Sequence, residues 1–201
     1  MSSDTENPLG PPPWLNAPPV DEYPYEETFD LRTGPDLHPA LLGLLPFIGK
    51  WRGRGQGQAP GADEGFNFAQ EVVISHDGRP FLSYESRIWL LDDDSGALGP
   101  GEREIGWWRP VTDAQGRATD DMEATLITPN GVMELYVGKA AGTRLELETD
   151  AIVRSPTAPE ITAGQRLFGI VDAALLYAQE QAFGGAGLRP YLSARLLRVG
   201  G

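Results

Sequence analysis

The chain has 201 residues, 40% of them hydrophobic, enough to bury one core of ordinary size and leave an extension over. Sixteen basic against twenty-nine acidic residues give a net charge of -13, which repels phosphate backbones and anionic lipid headgroups, so nucleic acid and membranes are not expected partners. No cysteine is present, which excludes disulfides, thiolate catalysis and Cys-based metal centres, and His38 and His76 are too few for a polyhistidine site. The start, Met-Ser-Ser-Asp-Thr-Glu-Asn, shows no basic or apolar leader, and no apolar run is long enough to span a bilayer, so the expected location is the cytoplasm.

Residues 1–37 read as an acidic, proline-rich N-terminal extension. Pro11-Pro12-Pro13 and Pro18-Pro19 deny it helix and ladder hydrogen bonds, and Asp21, Glu22, Glu26 and Glu27 dominate its charge. Trp14, Tyr23, Tyr25 and Phe29 are a heavy apolar load for a solvated tail. Two readings stay open: a free arm, or one packed along the domain or against a second copy in a homodimer.

Residues 38–201 read as one domain. His38-Pro39-Ala40-Leu41-Leu42-Gly43-Leu44-Leu45 predicts a short helical turn with Leu41, Leu44 and Leu45 at helical spacing, bounded by Pro46. Next comes Gly49-Lys50-Trp51-Arg52-Gly53-Arg54-Gly55-Gln56-Gly57. Residues two apart on a strand share a face, so Gly53, Gly55 and Gly57 leave one face bare beside Trp51, where a backbone or a ligand can come close.

Strand-like runs follow near 50–59, 66–76, 80–91, 103–112, 120–128, 131–138, 143–153, 160–171, 174–182 and 190–199. Asp77-Gly78, Gln115-Gly116, Asn130-Gly131, Ala141-Gly142 and Gly184-Gly185 are hairpin turn signals between them. About ten consecutive hairpin-linked strands without long helices predict an all-β fold, an antiparallel up-and-down β-barrel that leaves no exposed sheet edge. A barrel of this kind binds a small hydrophobic ligand when its lumen is not filled by side chains.

The segment Gly49-Lys50-Trp51-Arg52-Gly53-Arg54-Gly55 resembles the Gly-x-Trp-x-Gly-x-Gly signature of the nitrobindin family, β-barrels akin to fatty-acid-binding proteins. The resemblance takes in Ser75-His76-Asp77-Gly78-Arg79-Pro80-Phe81-Leu82-Ser83-Tyr84 and Val153-Arg154-Ser155-Pro156-Thr157-Ala158, and it closes at Leu188-Arg189-Pro190-Tyr191-Leu192-Ser193-Ala194. It implies a haem b whose iron is held by a histidine at the position of Tyr191. A phenol must lose a proton with a pKa near 10 before it binds iron well, and the phenolate then favours ferric iron. Without a neighbouring base or cation, haem affinity is expected to fall steeply.

Alternation along the last strand puts Tyr191, Ser193 and Arg195 on one face. Arg195 and Tyr191, with Arg87 from the Phe81-Ser83-Glu85-Arg87-Trp89 face, form a candidate anion-binding set, or else Glu85 and Arg87 line a solvated face. Trp107-Trp108 sends one indole to each side, and Trp107 is included among the candidate ligand contacts. His76 reads as a turn hydrogen bonder and His38 as a solvated or capping residue. Asp92-Asp93-Asp94 lacks calcium-loop spacing and reads as a solvated turn, and no Ser-His nucleophile pattern is present.

The expectation is therefore a noncatalytic binder of a small hydrophobic or amphiphilic ligand that lacks the haem-ligating histidine and carries no cofactor or metal. The alternative is a ferric haem b protein, with Tyr191 near or on the iron, that isomerises peroxynitrite to nitrate.

Overall fold

A computed structural model describes residues 10, 12–92 and 96–201. Asp93 and Asp94, expected in a solvated turn, lie outside the described residues. A 3-10 helix, Pro39–Phe47, leads into ten strands: β1 (Gly49–Gln58), β2 (Gly65–Ser75), β3 (Leu82–Asp92), β4 (Gly96–Thr112), β5 (Ala118–Thr128), β6 (Val132–Ala141), β7 (Arg144–Arg154), β8 (Ile161–Val171), β9 (Ala174–Phe183) and β10 (Arg189–Gly200). Each strand pairs antiparallel with the next, and β10 returns to β1, so the sheet closes into the predicted barrel.

The helical turn is tighter than predicted. With three residues per turn, Leu41 and Leu44 stack on the buried side while Leu45 turns outward, 42% exposed. Pro46 sits within the last turn rather than beyond it. His38 is the N-cap, its Nδ1 accepting from the Ala40 amide at 3.2 Å. The helix plugs the end of the barrel where β1 begins: the Phe47 ring meets Trp108, and the Trp51 indole donates to the Phe47 carbonyl at 2.9 Å.

The bare glycine face of β1 serves packing. A Cβ on Gly53 would overlap the Arg195 carbonyl of β10, whereas Gly55 and Gly57 are roofed by the Phe68 and Phe66 rings of β2. The glycines thus let β10 coil tightly against β1, opposite Leu196, Ala194 and Leu192. Arg198 covers the Trp51 ring at 4.1 Å.

The segment before the 3-10 helix crosses to the turn between β2 and β3. Thr28 and His76 exchange backbone hydrogen bonds of 2.8 and 2.9 Å, Glu27 accepts from the Ser75 hydroxyl, and the Phe29 ring lies against Gly200. Upstream, Trp14, Tyr23 and Tyr25 are exposed.

His76 is buried at 1% exposure. Its Nδ1 accepts from the Gly78 amide at 3.3 Å, which fixes the proton on Nε2, for which the described residues offer no partner. Burial pulls its pKa below the ordinary 6.5, although Asp77 opposes this. A depressed basic group adds stability that is complete above its unfolded pKa and is lost as the pH falls. The wild type should therefore lose stability relative to His76→Gln as the pH drops below about 6.5. Urea midpoints for both proteins between pH 5 and 8 check this, and a pH-independent difference would contradict it.

Candidate functional site

Alternation along the strands divides the lumen into two chemistries. Towards the plugged end, Trp108 stacks on Tyr84 with centroids 5.1 Å apart and meets Phe168 at 5.0 Å, and Phe168 meets Tyr177 at 5.6 Å. Trp108, on β4, is fully buried. Tyr177 donates to the Gln70 amide oxygen at 2.8 Å, and Gln70 donates in turn to Ser86 at 2.8 Å. This floor is apolar with its hydroxyls satisfied, which keeps water out from below.

Nearer the open end the lumen turns ionic. Arg166 of β8 forks onto Glu104 of β4 with bonds of 2.7 and 2.6 Å, reaches Glu134 of β6 at 3.2 Å and donates through Nε to the Tyr136 hydroxyl at 2.9 Å. All four side chains are buried. Burial works against the guanidinium charge, yet Glu104, Tyr136 and Glu134 hold its pKa well above the ordinary value. Burial pushes the Glu134 carboxyl up despite Arg166, and its Oε1 has no hydrogen-bond partner among the described residues.

Tyr191 enters this space through an irregularity in β10. Opposite β9, Pro190 pairs with Glu180 and Leu192 with Gln179, so Tyr191 is an extra residue, a bulge. A bulge re-aims its side chain, here inward beside Leu192. The Tyr191 hydroxyl crosses the lumen and donates to Oε1 of Glu102 on β4, while its ring meets Phe183 edge-on at 6.0 Å. Burial, then the Glu102 charge, pushes the phenol pKa up. Burial also raises the Glu102 carboxyl, although the Tyr191 hydrogen bond pulls the other way.

Strict alternation grouped Tyr191 with Ser193 and Arg195, and the bulge corrects that grouping. Ser193 and Arg195 are exposed on the outer wall. Arg87 also faces out, paired with Glu85 at 2.9 Å. Trp107 is 45% exposed on the outside, because its neighbour Trp108 takes the inner face. Of the four candidate ligand contacts, Tyr191 alone reaches the lumen. Gly49, Trp51, Gly53 and Gly55 build the wall rather than a binding surface.

The partners of Tyr191 were missed, though parity along the strands carried a signal for them. Glu102 and Glu104 fall on the face of Trp108, Arg166 on that of Phe168, and Glu134 on that of Tyr136. A charged residue in register with buried aromatics is the mark of a polar group turned inward.

A cleft of about 580 Å³ opens at the mouth between the β1–β2 loop and the start of β10, lined by Gln58, Asp63, Gln181, Phe183, Arg189 and Tyr191. That volume lies within the range of ligand pockets. Gln181 is buried there, and its Oε1 has no hydrogen-bond partner among the described residues. A larger cleft of about 800 Å³ runs over the outer wall of β5–β9 among Asp121, Lys139, Arg144 and Glu146. Such freely solvated charges bind weakly, so the mouth is the stronger site. Among the described residues no cluster of His, Cys, Asp and Glu forms a metal site, and no helix is long and apolar enough to cross a membrane.

Residues 40–198 match the family model described as a THAP4-like, heme-binding beta-barrel domain. The chain is 67% identical over 196 residues to a protein of Salinispora tropica named peroxynitrite isomerase, covering 98% of both. It is 44% identical over 189 residues to a ferric nitrobindin-like protein of Saccharopolyspora erythraea, covering 92% of this chain and 86% of that one. The crystal structure of Rv2717c from M. tuberculosis superposes with a TM-score of 0.68 at 34% identity, over 81% of this chain and 99% of the other. The expectation of a noncatalytic binder is corrected by the first of these, since full-length similarity of that degree is to a protein named for an enzymatic reaction.

Proposed function

Because the chain belongs to the THAP4-like, heme-binding β-barrel family, we propose that it holds a ferric haem b in the barrel mouth and isomerises peroxynitrite to nitrate. The observation that carries this reading is the Tyr191 hydroxyl, turned into the lumen and hydrogen-bonded to Glu102. A phenol with no base beside it is a poor iron ligand. Here a carboxylate stands next to it.

The residues at the mouth fit the group. An oxygen donor with an adjacent proton acceptor suits ferric iron, and the cleft has the volume of a ligand pocket with an unpaired buried amide oxygen on its wall. When bound, haem supplies a ferric centre at which the peroxo bond of peroxynitrite rearranges. The protein's part follows from its side chains. Tyr191 would supply the donor oxygen, and Glu102, which already accepts the hydrogen bond of its hydroxyl, would take up the proton the phenol releases. Phe183 flanks the Tyr191 ring and limits its swing. The floor of Tyr177, Phe168, Tyr84 and Trp108 is apolar, and Arg166 is immobilised above it by Glu104 and Glu134.

Titration with hemin tests the haem site. The wild type should give a sharp Soret band saturating at one equivalent, and Tyr191→Phe should weaken binding by about 100-fold, the loss of one charge-assisted bond in a dry site. A wild type that only broadens the free-hemin spectrum would overturn the reading.

A further inference from the structure

We infer that the outer wall of β10, β1, β2 and β3 carries a binding site for a nucleoside phosphate, apart from the mouth and independent of the haem reading. Its basis is where the chain leaves cations unused. Of the sixteen basic side chains, only Arg54, Arg189 and Arg195 make no ion pair, side-chain hydrogen bond or ring contact among the described residues. Arg189 lines the mouth cleft. Arg54 of β1 and Arg195 of β10 are register partners, both exposed on the outer wall.

Like charges directly opposite each other on paired strands repel, and a neighbouring carboxylate is the usual remedy. Here none stands beside them. The rungs on either side hold Gln56 with Ser193 and Arg52 with Leu197, and Glu71, diagonal to Arg54 on β2, is already taken by Lys50 and Arg52. On a chain of net charge -13, this wall therefore sets Lys50, Arg52, Arg54 and Arg195 against Glu71. Positive charge concentrated without counterions attracts an anion, and two adjacent guanidinium forks match the oxygens of a phosphate.

The same rung supplies an aromatic surface. Arg54 pairs with Ala69 of β2 and Ala69 with Trp89 of β3, so Arg195, Arg54, Ala69 and Trp89 follow one another across four strands. Trp89 is half-buried on the outer face, and its ring meets no other ring among the described residues. The small Ala69 makes a low floor between the indole and the arginines. Neighbouring strands lie about 4.8 Å apart, which puts the Trp89 and Arg54 backbones about 10 Å from each other. A nucleoside diphosphate bridges that interval with its base on Trp89, its sugar over Ala69 and its phosphates at Arg54 and Arg195. Stacking on an indole is tolerant of base identity, so the site should not discriminate strongly between bases. The acidic remainder of the surface repels a polynucleotide and confines the site to small ligands.

The test follows a mant-labelled ADP probe by fluorescence anisotropy as the full chain is added at low ionic strength. The wild type should raise the anisotropy saturably, and unlabelled ADP should displace the probe at least about tenfold more effectively than adenosine or pyrophosphate, each of which uses half of the site. Arg54→Gln combined with Arg195→Gln should weaken binding by about tenfold or more while the melting temperature holds or rises, because the cross-strand repulsion is relieved. Trp89→Leu should cost about tenfold through lost stacking. If Trp89→Leu does not fold, the arginine variant, changed only at exposed positions, decides alone. A wild type that leaves the anisotropy unchanged would overturn the inference, as would a folded variant of either kind with wild-type affinity, or adenosine that displaces the probe as well as ADP does. None of these results bears on the haem reading.

Discussion

Replacing Arg166 with methionine is expected to destabilise the barrel by about 3–5 kcal/mol, the cost of leaving a buried carboxylate without its cation. The guanidinium makes four hydrogen bonds inside the lumen, two of them to Glu104. Its removal leaves Glu104 and Glu134 buried without a cation. Burial of the triad is not itself a source of stability, since three charges were taken from water to make it. A triple replacement of Arg166, Glu104 and Glu134 by apolar residues of similar volume should therefore recover most of the loss. Urea unfolding midpoints at constant slope measure both proteins. A single replacement that costs under about 1 kcal/mol would show that water reaches the cluster.

Trp108→Ala should cost a similar amount, about 3–5 kcal/mol, for a different reason. The indole fills the centre of the floor between Tyr84, Phe168 and Phe47, so its removal opens a cavity in a close-packed region. Trp108→Phe separates packing from hydrogen bonding. The buried Nε1–H has no partner among the described residues, so exchanging the indole for a phenyl ring gives up volume but also removes an unsatisfied donor. Its net effect should stay within about 1.5 kcal/mol. Thermal unfolding of the two variants distinguishes the cases, and equal losses would mean that Nε1 has a partner after all.

Much of the fold was legible because closure and alternation are local properties. Turn residues such as Asn130-Gly131 and Ala141-Gly142 mark hairpins one at a time, and ten hairpin-linked strands have few arrangements other than a barrel. The glycine face of β1 was legible as a close approach, though the sequence left open what approaches. The structure answers with the β10 backbone and two phenylalanine rings.

The site was legible only in part, and the reason is one residue. A period of two assigns faces correctly until a bulge inserts an extra residue, and nothing in Arg189-Pro190-Tyr191-Leu192 announces that Tyr191 is unpaired. Once the parity slipped, Arg195 was grouped with Tyr191 and its true partner, Glu102 on β4, was invisible. Glu102 lies 89 positions away in the chain, and only the closed barrel brings it across the lumen. The chemistry turned on that contact. Weighed alone, the phenol argued against haem, whereas in the proposed reading the carboxylate beside it makes it an oxygen donor for ferric iron.

The most direct measurement is the fate of peroxynitrite mixed with the hemin-loaded protein, followed by its absorbance decay and by the nitrate and nitrite formed. The loaded wild type should speed the decay well beyond apoprotein or free hemin and shift the products towards nitrate, and hemin-treated Tyr191→Phe should lose that effect. A decay rate and nitrate yield no different from apoprotein would contradict the proposed function.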